Sequence, residues 1–129
     1  KASWSLSKVY DKHPETLTAF IPLIIGSLDR IENEGVRRSF MKIISLSDIT
    51  VVTRKNQGIL ADYCFRMLRS GFSSIAVKAY SMEIIYRLAQ IYPELTGELA
   101  ETINLLQDEK SAGILAKGRI ILKRLGGSS

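Results

Sequence analysis

The stretch SIAVKAYSMEIIYRL, residues 74–88, decides the fold because weaker copies of it lie on both sides of it in the chain. An earlier copy lies 41 positions upstream, where Val36 aligns with Val77. A later copy lies 37 positions downstream, where Ser111 aligns with Ser74. Self-similarity at a nearly fixed period indicates a chain built from stacked copies of one supersecondary unit.

Each unit contains two helices. Apolar residues within the copies recur at the spacing of an α-helix, and a further helical pattern separates consecutive copies. A period of about 40 residues built from two helices has the size of a HEAT or armadillo repeat. The sequence therefore predicts an all-α protein without strands. We expect an α-solenoid, a right-handed superhelix of HEAT-like (armadillo-type) helix pairs.

Capping residues, prolines and glycines place the helix boundaries. We expect one HEAT-like domain over residues 1–125 and a flexible tail over 126–129. Pro22 lies inside a predicted helix and predicts a kink near residues 18–22. The first helix is expected to be the back half of a repeat helix whose front half is missing. The predicted helices are 3–12, 14–30, 34–46, 54–69, 74–92, 93–107 and 111–125.

The composition is that of a folded globular protein. Of 129 residues, 46% are hydrophobic and 24% are charged, which argues against disorder. The net charge of +5 is compatible with an anionic partner but does not require one. The longest apolar run, residues 17–25, is too short to span a membrane, so we expect no membrane association. The single cysteine, Cys64, favours a reducing compartment, and we expect a cytoplasmic protein.

The sequence shows no combination of residues that would form a metal site, a phosphate-binding loop or a catalytic site. One histidine, His13, and one cysteine cannot supply a zinc site, and no phosphate-binding glycine loop is present. Glu94, Glu98 and Glu101 share a helical face, which we interpret as a solvated acidic face rather than a magnesium site. Cys64 falls in an apolar register and is interpreted as a small buried hydrophobe. We therefore expect no catalytic residue, no metal and no cofactor.

Two features of the repeat have structural interpretations. Arg37 and Lys78 follow the matched valines, and we expect each to pair with an inter-helix acid such as Asp29 or Asp108 rather than with a ligand. Five glycines fall inside predicted helices, where each costs about 1 kcal/mol relative to alanine. Close helix–helix approach is the expected compensation, and a functional cleft is the alternative. These glycines are Gly26, Gly58, Gly97, Gly113 and Gly118.

Distinctive segments occur throughout the chain: Trp4-Ser5-Leu6-Ser7, Lys12-His13-Pro14-Glu15, Val36-Arg37-Arg38, Ile75-Ala76-Val77-Lys78-Ala79-Tyr80-Ser81-Met82, Tyr92-Pro93-Glu94-Leu95 and Ser111-Ala112-Gly113. Together they resemble a small bacterial family of HEAT-like proteins found in Bacteroidetes-type genomes. The resemblance implies a HEAT-like fold and a function that is not established. Some members carry the label adenylosuccinate lyase.

The sequence argues against that label. Lyases of that superfamily are several times longer, and their Gly-Ser-Ser signature loop is matched here only by the tail, residues 127–129. The sole histidine, His13, lies beside Pro14 and is interpreted as a residue that precedes a helix.

Four basic residues on the helix over 54–69, together with one acidic residue among them, form the candidate interaction surface: Arg54, Lys55, Asp62, Arg66 and Arg69. In HEAT stacks the second helix of each pair lines the concave side. We expect a protein partner, with nucleic-acid binding akin to HEAT-like DNA alkylation-repair proteins as the alternative. The next second helix is acidic, so no continuous basic groove for duplex DNA is predicted. Apolar surface left exposed at the ends of the helix stack predicts self-association as a further possibility.

Overall fold

The computed structural model describes residues 20–106 and 111–127, and within them every regular element is helical. Short 3₁₀ turns follow α1 and precede α3. No strand occurs among the described residues, and the predicted all-α solenoid is confirmed. The helices are α1 (Ile21–Ser27), α2 (Glu34–Leu46), α3 (Arg54–Arg69), α4 (Ile75–Ile91), α5 (Leu95–Leu105) and α6 (Ala112–Gly127).

The helix bounds lie close to those predicted from the sequence. α2 and α3 coincide with residues 34–46 and 54–69, and α4 and α5 are shorter than predicted by one or two residues at each end. α1 begins at Ile21, so Pro22 lies in its first turn, where its missing N–H costs nothing. α6 ends at Gly127, two residues into the predicted tail. The predicted helix 3–12, residues 14–19 and most of the expected kink lie outside the described residues.

The repeated sequence contains its own helix-start signal. Asn33 accepts a hydrogen bond from the Val36 N–H at 3.0 Å through its side chain. Ser74 and Ser111 do the same at the corresponding positions, with donor–acceptor distances of 3.2 and 3.3 Å. A side-chain acceptor at the N-cap satisfies one of the amide groups left unpaired at a helix start, which fixes where α2, α4 and α6 begin.

The helices form two layers. α2, α4 and α6 pack side by side in a first-helix layer, while α1, α3 and α5 form a second-helix layer. α4 lies at the centre and packs against neighbouring helices of its own layer and against helices of the second-helix layer. Repeat-matched apolar residues fill the space between the layers, since each unit alone has too little apolar surface to be stable. Those buried completely include Met41, Met82, Ile85 and Ile121.

Basic side chains join neighbouring helices through backbone carbonyls. Arg37 donates from Nη2 to the Ile31 carbonyl at 2.6 Å, and Lys78, only 4% exposed, donates from Nζ to the Leu68 carbonyl at 3.2 Å. Both carbonyls lie at or just beyond the end of a second-layer helix, where intrahelical partners run out. Arg87 likewise donates to two carbonyls at the end of α2. We call these contacts the junction bonds.

The prediction that Arg37 pairs with an inter-helix acid such as Asp29 was wrong. Arg37 pairs with Glu34 and donates from Nε to the Tyr63 hydroxyl at 2.8 Å, whereas Asp29 pairs with Arg66. The reason is burial. Arg37 is directed into the space between α2 and α3, while Asp29 is exposed on the outer side of the second-helix layer. Asp108, the acid expected for Lys78, lies outside the described residues.

Close helix approach does not explain most of the helical glycines. A Cβ added at Gly26, Gly58 or Gly97 would meet no heavy atom within 4 Å, so that expectation was wrong at these positions. All three lie on the solvent side of the second-helix layer. At Gly113 a Cβ would come within 3.2 Å of Ile75 Cγ2, which is a true close approach. Gly118 is buried.

Candidate interaction surface

The five residues of the candidate surface all lie on the exposed side of α3, the middle helix of the second-helix layer. They span its whole length, from Arg54 at the first turn to Arg69 at the last. α3 starts at Arg54 because the Thr53 side chain accepts a hydrogen bond from the Asn56 N–H at 3.2 Å. The structure therefore brings these residues onto one face, and it divides them into two electrostatic groups.

Arg66 is held between two carboxylates. Its Nη2 lies 2.8 Å from Asp29 Oδ1, and its Nε lies 3.0 Å from Asp62 Oδ2. The hydrogen bond with Asp29 raises the pKa of the Arg66 guanidinium. The guanidinium also lies 5.3 Å from the centre of the Tyr63 ring. Since Asp29 follows α1, this contact ties the end of α1 to α3.

Arg69 makes the matching contact on the other side of α3. Its Nη2 lies 2.8 Å from Glu98 Oε2 on α5, and its guanidinium lies 5.3 Å from the centre of the Phe65 ring. Ion pairs thus link all three helices of the second-helix layer. Both arginines are about half exposed, so each pair contributes little to stability. Their main effect is to neutralise the positive charge that the sequence suggested for this surface.

Arg54 and Lys55 form the second group. Neither forms an ion pair within residues 20–106 and 111–127. The Arg54 guanidinium lies 5.9 Å from the centre of the Tyr92 ring, which positions it at the edge between α3 and the turn before α5. Glu94, in that turn, is also exposed and forms no ion pair in the described part of the chain. One exposed cation and one exposed anion thus lie at this edge.

A small pocket lies between these two charges. It has a volume of about 210 Å³ and is formed by α3, the 92–94 turn and the start of α5. Its lining comprises Arg54, Gln57, Gly58, Ala61, Tyr92, Glu94 and Leu95. We call it the Gly58 pocket. From the sequence, a functional cleft is only the alternative explanation for the five helical glycines, Gly58 among them, and no pocket is located at this edge of α3.

The polar groups at the base of the Gly58 pocket are already satisfied. The Tyr92 hydroxyl donates to Gln57 Oε1, and Gln57 Nε2 donates to the Ile49 carbonyl at 2.8 Å. Gln57 is only 5% exposed, and this chain of hydrogen bonds fixes it. Apart from the charged residues Arg54 and Glu94, the rest of the lining is formed by residues without polar side-chain atoms, namely Gly58, Ala61 and Leu95.

The repeat architecture agrees with comparison against known families. The sequence profile of the HEAT repeat domain matches residues 1–125, nearly the whole chain. The chain belongs to the HEAT repeat domain family. It is a helical repeat scaffold of that family. Neither the curated proteins nor the solved structures contain a significant match to it.

The described part of this HEAT repeat domain holds no cluster of three or more histidine, cysteine or acidic residues that could bind a metal. Cys64 is fully buried on α3, as predicted, and burial raises the pKa of its thiol despite a hydrogen bond with Ser81. A thiol in that environment is a poor nucleophile. Among the described helices, none combines the length and apolar character needed to cross a bilayer.

Proposed function

We propose that this HEAT repeat domain is a non-catalytic scaffold that binds another protein through the exposed face of its second-helix layer. One observation carries the proposal. The ion pairs Asp29–Arg66 and Arg69–Glu98 link the turn after α1, α3 and α5 in one continuous array along the second-helix layer. Stacked helical repeats present extended surfaces of this kind to their partners.

The mixed charge of that surface supports a protein partner over a nucleic acid. Arg66 and Arg69 are neutralised by carboxylates, and Glu94 and Glu101 add further negative charge beside them. A nucleic-acid surface gains affinity by releasing counterions from many phosphates and needs unpaired cations. Only Arg54 and Lys55 of the candidate surface meet that need. Nucleic-acid binding therefore remains the alternative, with less support.

Three further assignments belong to the same proposal. We place the protein in the cytoplasm because a single cysteine suits a reducing compartment. Self-association through an end of the stack is supported by Ile120 on α6, which is 48% exposed. Lyase activity is left out of the proposal because the Gly-Ser-Ser signature of such enzymes is matched here only by the tail, residues 127–129.

The test is affinity capture from native lysate, with mass spectrometry of the captured proteins and quantification of nucleic acid. Arg66→Glu and Arg69→Glu should each reduce recovery of a reproducible protein partner. Arg38→Glu is the matched control, since Arg38 is an exposed arginine of the first-helix layer. Thermal melting of each variant shows whether the fold is kept. Recovery of nucleic acid that is released by salt, without a protein partner, would contradict the proposal.

A further inference from the structure

The Gly58 pocket has the size of a single side chain. Its volume is about 210 Å³. Pockets for cofactors and drug-sized ligands occupy about 300–1,000 Å³, whereas a cavity of about 150 Å³ accepts benzene. The space is thus large enough for one leucine or phenylalanine side chain.

The pocket favours an apolar guest. The Tyr92 hydroxyl and the Gln57 amide are already paired with each other and with the Ile49 carbonyl, so neither needs a polar guest as its hydrogen-bond partner. A polar group that entered without a hydrogen-bond partner would lose its hydration at a cost of about 1–3 kcal/mol. An apolar side chain loses no such partner and gains the contact with Ala61 and Leu95.

The rim sets the charges beside that guest. Arg54 forms no ion pair within the described residues, lines the pocket and lies over the Tyr92 ring, which lines it too. Glu94 is unpaired there as well and lines the same pocket. Two opposite charges in the lining of a largely apolar pocket match a segment that carries an acidic residue on one side of its anchor and a basic residue on the other. A phosphate backbone would be repelled by Glu94.

Gly58 keeps the pocket open. Packing does not require glycine here, since a Cβ would meet no atom within 4 Å, but Gly58 lines the pocket, so a larger side chain at this position would take up space at or beside it. Alanine would remove the helix penalty of about 1 kcal/mol. Glycine at position 58 therefore lowers the stability of α3 but leaves the pocket free of a side chain from this position.

We propose that the Gly58 pocket binds one apolar side chain of a partner peptide, with an acidic neighbour contacting Arg54 and a basic neighbour contacting Glu94. This inference rests on the proposed scaffold function and names the chemistry of its partner. The binding site is an edge of the second-helix layer that includes Arg54 but not Arg66 or Arg69.

The probe is a random linear peptide library displayed on phage and selected against the full chain. The selected peptides should share an apolar residue between an acidic and a basic residue. Gly58→Leu should fill the pocket and weaken these peptides by about tenfold or more, the loss typical of an excluded anchor. Gly26→Leu is the matched control, because Gly26 is equally open and does not line the pocket. Its affinity should stay unchanged.

A charge exchange tests the orientation of the peptide. The double variant Arg54→Glu, Glu94→Arg should select peptides in which the acidic and basic residues have changed places. Peptides that bind Gly58→Leu as well as the unchanged chain, peptides without the charge pattern, or a selection that yields no binder would each overturn the inference. Loss of a lysate partner on reversal of Arg66 or Arg69 would still support the scaffold, because those residues lie outside the pocket.

Discussion

Replacing Gly58 with alanine should make the protein more stable. Gly58 lies in the interior of α3, where glycine costs about 0.8–1.0 kcal/mol relative to alanine. The added Cβ meets no heavy atom within 4 Å, and Gly58 has no positive φ, so neither a clash nor backbone strain offsets the gain. We therefore expect the free energy of unfolding to rise by nearly this full amount.

The gain converts into a measurable shift in melting temperature. An unfolding entropy of about 2.1 cal/mol/K per residue, applied to 129 residues, makes about 1 kcal/mol equivalent to roughly 4 °C. Circular dichroism during thermal unfolding and during urea titration measures both quantities. The urea m-value should stay the same, because the substitution changes neither the core nor the size of the cooperative unit.

Gly113→Ala is the matched comparison. Its Cβ would come within 3.2 Å of Ile75 Cγ2, so Ile75 must move before alanine fits. The gain at this position should be smaller than at Gly58 or should be absent. An unchanged or lower stability of Gly58→Ala, or an equal gain at Gly113, would refute this account of the helical glycines.

Other predictions test the caps, the charges and the core. Ser74→Ala should lower the free energy of unfolding by about 1 kcal/mol through loss of the N-cap of α4, and Ser73→Ala should lower it less; urea titration compares the two. Burial raises the pKa of Glu83, but hydrogen bonds from two basic side chains of α6 outweigh burial and hold that pKa below its ordinary value of 4.5. Its contribution to stability is therefore present above pH 4.5 and lost as the pH falls through the lowered pKa, and Glu83→Gln should weaken this acid dependence in unfolding measurements at several pH values. Cys64 should react with a thiol reagent only at the rate of unfolding, and fast labelling of the native protein would contradict its burial.

Local signals made the fold predictable. Asn33, Ser74 and Ser111 mark three helix starts, and each acts through contacts within a few residues of itself. The repeat indicated which helices pack together, because matched apolar positions such as Met41 and Met82 must face the same core. Information that is local or repeated could therefore be read directly from the chain.

The Gly58 pocket could not be predicted in the same way. It depends on Gln57 reaching both Tyr92 and the Ile49 carbonyl, contacts between segments that share no repeat position. The charge of the candidate surface was misjudged for a similar reason. Arg66 lies 37 residues from Asp29 in the sequence, and only the packing of α3 beside α1 brings them together.

The junction bonds have a consequence for how such a domain changes over evolutionary time. Each cation binds a main-chain carbonyl, a group that every residue possesses whatever its side chain. Substitutions at the end of the helix that supplies the carbonyl therefore leave the hydrogen bond from the basic side chain intact. Where one repeat is duplicated, deleted or replaced by another, the new neighbour again presents a main-chain carbonyl, so this hydrogen bond needs no compensating substitution, whereas the apolar core between the helices still has to match.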